Sequence, residues 1–217
     1  MSHKLEVDSV MLGFGLKTVL SDIFMRFETG SVTGILGRNG SGKSCLMKIL
    51  YGTLAAQYSN VRYDGVTILN RYKHPEMIRF LPQSDFIPKQ LTLKSVMDIF
   101  SCDLKWFTGL FPEFSDYLHQ PFRHFSFGQK RLIETCLVLS ADADFILLDE
   151  PFSYLMPVHV ERLKGYINTI KTNKGIIITD HLYRELLTIT DHIYLIHDGS
   201  SFTVKDEDEL RMLGYIH

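Results

Sequence analysis

Paired cysteines are missing from this sequence. Its three cysteines, Cys45, Cys102 and Cys136, have neither the number nor the spacing of a disulfide framework or a zinc site, which fits a reducing compartment. An excess of charge is missing too: 23 basic against 25 acidic side chains leave a formal net charge of −2, with no basic tract to hold nucleic acid. Long apolar runs are absent. The longest stretches are interrupted, as in CLVLSADADFILLDE, so no membrane span is expected, and MSHKLEVDSV carries no signal-peptide core. Action at a membrane would therefore need a partner. Repeats and low-complexity tracts are also lacking.

What remains is ordinary globular material, with 45% hydrophobic and 22% charged residues in 217, enough for one large α/β domain. Apolar runs bounded by turn residues predict strands near 4–11, 18–27, 32–36, 60–68, 77–82, 144–148, 175–179 and 191–196. Helical periodicity falls at 43–52, 92–100, 128–140, 157–171 and 182–188. FILLD and GIIIT are apolar throughout, as central parallel strands covered on both faces must be. Alternating strands and helices imply right-handed crossovers and a layered α/β fold with a mostly parallel sheet. The strand-rich first third reads as an added antiparallel sheet. Residues 84–127 hold 10 of the 26 aromatic residues, which suits either the small core of a helical insert or a docking surface for a partner.

The strongest motif is Gly37-Arg38-Asn39-Gly40-Ser41-Gly42-Lys43-Ser44, a complete G-x-x-x-x-G-K-[ST] between apolar VTGIL and helical CLMKIL. Its glycines let successive backbone N–H groups turn inward towards phosphate oxygens, and the following helix adds the positive end of its dipole. Lys43 reaches the β- and γ-phosphates, and the Ser44 hydroxyl suits Mg²⁺. A second motif, FILLDE, ends a buried strand in Asp149 and Glu150, at the sheet edge where open α/β folds bind ligands. Asp149 there is suited to hold Mg²⁺ through its water shell, and Glu150 to orient and deprotonate an attacking water. Small-molecule kinases, GTPases and RecA-like motors share both motifs, so these alone leave the family open.

Further residues narrow the choice. Ser126-Phe127-Gly128-Gln129 lies 20 residues before Asp149 and opens a helix. By residue type it is a capping box, with Ser126 as N-cap and Gln129 three residues on. As Phe125-Ser126-Phe127-Gly128-Gln129 it also resembles LSGGQ, the signature of ATP-binding cassette ATPases. Gln83 after MIRFLP, His181 after GIIITD and Phe14 before LKTVL stand in that family's order, so the resemblance runs from Phe14 almost to the end of the chain. It implies a P-loop NTPase core with an N-terminal antiparallel β subdomain and a helical insert at approximately 84–140 within a single domain spanning 1–217.

It also implies residue roles. Phe14 would stack on adenine, although a core phenylalanine is the plainer alternative. Asn39 and Ser41 would cradle ATP with the motif's glycines, as would Cys45, which stands where threonine is common. Gln83 would sense Mg²⁺ and the attacking water, and His181 would contact the γ-phosphate. Ser126, Gly128 and Gln129 would meet the nucleotide held by a second cassette subunit, identical or different. The resemblance further implies a transmembrane permease as partner and a place on the inner face of the membrane, in the cytoplasm. A nucleotide-gated switch with little turnover, or a soluble cassette protein outside transport, are the competing readings. Two departures bear on them: Phe127 replaces the first signature glycine, and Met156 stands where the family usually carries an aspartate.

Overall fold

The computed structural model describes residues 2–216. Its centre is a six-stranded sheet in the order β11-β10-β4-β9-β8-β7, built from β4 (Val32–Gly37), β7 (Ile78–Leu81), β8 (Phe145–Asp149), β9 (Gly175–Thr179), β10 (His192–His197) and β11 (Ser200–Val204). The pairs β10–β4, β4–β9, β9–β8 and β8–β7 are all parallel, and β11 adds an antiparallel edge. Every residue of β4, β8 and β9 is buried, the outcome that their unbroken apolar sequences require when both faces are covered. This order brings the C-terminal ends of β4, β9, β8 and β7 side by side.

One face of the sheet carries an antiparallel layer of β1 (Lys4–Phe14), β2 (Lys17–Leu20), β3 (Met25–Glu28), β5 (Tyr58–Tyr63) and β6 (Val66–Thr67). Between the layers lies α1 (Lys43–Tyr51), whose Leu46, Met47, Ile49 and Leu50 join Val7, Met25, Phe27 and Leu147 in one core. The other face carries α2 (Leu93–Ile99), α3 (Leu104–Leu110), α4 (Phe127–Ser140), α5 (Pro157–Ile170), α6 (Tyr183–Leu187) and α7 (Glu207–Met212) over a second core.

Three sequence expectations change. The stretch 18–27 is two strands, because Ser21 and Asp22 turn their N–H groups to the Gly199 carbonyl instead of to a neighbouring strand. The stretch 60–68 is a hairpin: Asp64 and Gly65 both take positive φ, 49° and 79°, as a two-residue turn demands. An equivalent turn at Asp198-Gly199 creates β11, which had no counterpart among the expected strands. The aromatics of 84–127 divide. Phe107, Phe111, Phe114, Phe122 and Phe125 are buried and interlock ring against ring, whereas Phe100, Tyr117 and Phe127 remain exposed.

Candidate functional site

The loop after β4 is shaped by what cannot fit in it. Gly42 sits at φ 101° as the N-cap of α1, and a Cβ there would lie 2.7 Å from Leu20. Lys43 follows, 6% exposed, and its ammonium donates to the carbonyls of Gly37 at 2.7 Å and Arg38 at 3.3 Å. Burial lowers the Lys43 pKa, against the opposing pull of Glu150, Asp149 and Asp180. Under the loop, the buried hydroxyl of Ser41 has no hydrogen-bond partner among the described residues.

Two strand ends away, β8 delivers the acids. Asp149 pairs with Thr179 across the β8–β9 ladder, and Thr179 Oγ1 donates to Asp149 Oδ1 at 2.6 Å. Asp149 is 1% exposed and its Oδ2 has no partner among the described residues, so one carboxylate oxygen is held rigid and the other is left free to accept. Glu150 leaves the strand at φ 57°, an unusual conformation for a side chain of its size, fixed by its N–H donating to Thr179 O at 2.8 Å. That turn aims its carboxylate at Gln83, whose Nε2 donates to Oε2 at 2.9 Å, and at Ser153 Oγ, 3.4 Å away. His181 Nδ1 stands 4.0 Å from the same Glu150 oxygen and 3.4 Å from Asp180 Oδ1. Asp180 is fully buried, its pKa raised by burial although it accepts from the N–H groups of Leu182 and Phe152.

These elements face one cavity of about 580 Å³. Its walls bring together Phe14, Asn39, Gly40, Gly42, Lys43, Ser44, Cys45, Gln83, Glu150 and His181, with Val19 added, a residue that no motif singles out. Phe14 is 55% exposed on this wall, so it is not a core phenylalanine. Gly37, Ser41 and Asp149 lie outside the lining. Ser126, Gly128 and Gln129 do not reach this cavity either. They form the capping box in full: Gln129 N donates to Ser126 Oγ at 3.2 Å, and Ser126 N to Gln129 Oε1 at 2.9 Å. Of the departures, Phe127 is 73% exposed and its ring lies 6.4 Å from that of Tyr154, and Met156 is exposed as well.

The oxygen donors at hand are hard ones: the Ser44 hydroxyl, the Gln83 amide and the Asp149 carboxylate with its unpartnered oxygen. They fit Mg²⁺. Among the described residues no group of three or more His, Cys, Asp or Glu side chains could hold a metal ion unaided, so a cation here would draw on phosphate and water oxygens. Sequence reasoning missed Thr179 and Arg131, whose contacts exist only once the strand order is known, and Ser153, whose bond to Glu150 three residues back depends on the turn that Glu150 makes at positive φ.

A glycine-rich loop between a central parallel strand and a helix, with acids at the end of a strand two places away, defines a P-loop nucleotide-binding domain. The chain belongs to the ABC transporter family, whose family model matches residues 20–153. It is similar to a probable ABC transporter ATP-binding protein of Azorhizobium caulinodans, 28% identical over 211 residues, 91% of this chain and 75% of the relative. It is also similar to the lipopolysaccharide export system ATP-binding protein LptB of Acidithiobacillus ferridurans, 26% identical over 224 residues, 97% of this chain and 93% of the relative. The fold matches that of an ATP-binding subunit of an ABC transporter with a TM-score of 0.81 at 22% identity, covering 97% of this chain and 93% of that one. A nucleotide-free ATP-binding cassette gives 0.75 at 21% identity, covering 97% and 94%. Among the described residues no helix is long and apolar enough to cross a membrane.

Proposed function

We propose that this chain is the ATP-binding and ATP-hydrolysing subunit of an ABC transporter, a single cassette domain over 1–217 with a helical insert at about 84–140. The observation that carries this reading is the one cavity shared by Lys43 and Ser44 with Gln83, Glu150 and His181. Phe14 stacks on adenine. The amides of the 37–44 loop and the Lys43 ammonium take the phosphates, with Asn39, Gly40, Ser41, Gly42 and Cys45 shaping the cradle. Ser44, Gln83 and, through water, Asp149 would hold Mg²⁺, which would supply positive charge against the phosphate oxygens. Glu150 accepts a proton from water as the water oxygen bonds to the γ-phosphorus and the bridging oxygen leaves with ADP. Gln83 fixes the Glu150 carboxylate, and His181 offers its ring to charge on the γ-phosphate. The gain comes from positioning and charge stabilisation, as in phosphoryl transfer generally.

Ser126, Gly128 and Gln129 cap the other subunit's nucleotide when two cassettes, alike or different, close head to tail. Their position outside this chain's own cavity, at a helix start with its dipole free for an anion, supports that reading. Closure moves the helical inserts against a transmembrane permease, which holds the cassette on the cytoplasmic face of the membrane. The relatives' own descriptions as transporter ATP-binding proteins support the permease. The purified chain should bind Mg-ATP in a calorimeter and release phosphate, and Lys43→Ala should abolish binding. A chain that binds no nucleotide overturns the proposal.

The exposure of Phe127 and Met156 at the surfaces meant to meet a second subunit favours one further reading, a nucleotide-gated switch with little turnover. Phosphate release by the wild type and by Glu150→Gln separates the two. Equal and negligible rates with intact ATP binding favour the switch.

A further inference from the structure

Five residues past the Ser126 cap, α4 carries Arg131, and one turn later Glu134. Both are buried. Among the described residues the Arg131 guanidinium makes no salt bridge with a carboxylate. It spreads instead over three main-chain carbonyls, donating from Nη1 to Pro82 at 2.6 Å, from Nε to Glu150 at 3.1 Å and from Nη2 to Asp149. Pro82 directly precedes Gln83. Glu134 Oε1 accepts from the N–H groups of Phe86 at 2.9 Å and Ile87 at 3.3 Å, at the far side of the same Gln83 loop. One rigid helix thus grips the main chain on both sides of Gln83 and at both members of the acidic pair. Only a guanidinium has a planar fork of donors wide enough to span three carbonyls.

Resting on the hydrolysis reading above, we infer that Arg131 and Glu134 are positioning residues that couple the Ser126 turn to catalysis, so that a shift of the helix start on meeting a second nucleotide re-aims Gln83 and Glu150 together. Neither side chain touches the reacting atoms; both act through the main chain that carries Gln83 and Glu150. Helix α4 is a continuous 14-residue element, so displacement at its cap is passed on and not absorbed. Misplacing a catalytic group by about 1 Å costs on the order of 100-fold in rate.

The test is Arg131→Lys, which keeps the charge and reaches at most one or two of the three carbonyls. Expected is a fall in kcat of about 10- to 100-fold with KM for ATP within about two-fold of wild type. In a Glu150→Gln background the same substitution should change the residual rate by less than about two-fold, because its effect runs through Glu150. A kcat equal to wild type, or losses that multiply in the double variant, overturns the coupling. Absence of turnover in the wild type is a different result and removes the hydrolysis reading itself. Amide exchange of the wild-type chain decides the matter if Arg131→Lys does not fold. Adding a Mg²⁺-bound non-hydrolysable ATP analogue should slow exchange in the first turn of α4, at 82–87 and at 149–153 in one step, and slowing in α4 alone overturns the coupling.

Discussion

Thr179→Val removes a single oxygen from the β8–β9 ladder, at the point where the sheet holds the buried Asp149. Valine matches threonine in shape and suits a strand equally well, so neither packing nor β propensity should change much. Lost is the 2.6 Å hydrogen bond from Thr179 Oγ1 to Asp149 Oδ1. Because Asp149 Oδ2 already lacks a partner among the described residues, the variant leaves a buried carboxylate with no side-chain hydrogen bond from them on either oxygen. A hydrogen bond to a charged group contributes about 1.5–3 kcal/mol, and removing one partner of a buried pair exposes the full penalty, so a loss near 2–3 kcal/mol is expected. For a chain of this length that lowers the melting temperature by about 4–12 °C. Urea unfolding of wild type, Thr179→Val and Thr179→Ser measures it. The valine variant should shift the midpoint at constant m, and the serine variant, which keeps the hydroxyl, should lose about 1 kcal/mol or less. A valine variant within about 0.5 kcal/mol of wild type would refute the claim that this hydroxyl anchors Asp149.

Gly128→Ala places a Cβ 2.2 Å from the Tyr154 carbonyl and should cost about 1–3 kcal/mol in urea unfolding, whereas Phe127→Ala, at an exposed position, should stay within about 0.5 kcal/mol. Glu150→Gln should keep Mg-ATP affinity in calorimetry and lose at least about 100-fold in phosphate release. Glu6 is held below the usual carboxylate range by its hydrogen bonds to Arg26, at 2.9 and 2.7 Å, which outweigh the opposing effect of burial. A depressed acid contributes stability that is present above its unfolded pKa and lost as pH falls through its folded one. Glu6→Gln should therefore lose less stability than wild type between neutral and acid pH, and parallel stability curves would contradict this.

The parts of this fold that were legible in the sequence are those fixed by local chemistry. FILLD and GIIIT had to be interior strands, and the 37–44 loop, the 43–51 helix and the Ser126–Gln129 cap follow from residue type and spacing. Two helices carried readable start signals without being expected. Asp103 caps α3 through the N–H groups of Lys105 and Trp106, and Asp206 caps α7 through that of Glu209, but both helices are only six or seven residues long and show little periodicity. Other features had no local signal. The break at Ser21-Asp22 depends on the Gly199 carbonyl, some 180 residues on. Arg131 reaches Pro82 and Glu150 only because β7 and β8 are neighbours. Most of the candidate site could be collected from motifs; the bonds that hold its parts in register could not, since those depend on strand order.

The two signature positions show how tertiary contact decides which departure a motif tolerates. The family signature has glycine at both, and here the first of them is phenylalanine. At Gly128 the space for a Cβ is taken by the Tyr154 carbonyl, from the loop that follows Glu150, so a side chain there would push the helix start away from the acid's own loop. At 127 the side chain points outward, where the ring lies near Tyr154 and under the Lys130 ammonium at 5.6 Å. The glycine that remains is therefore the one required inside a single subunit, and the one replaced had room within it. The exposed face of Phe127 is the part that the proposed pairing of two cassettes would bring against a second subunit. Phe127 is absent from the cavity that holds Lys43, but with Gln83, Arg131, Glu150 and Tyr154 it lines a neighbouring one, so its ring shapes the outer side of the acid's own loop.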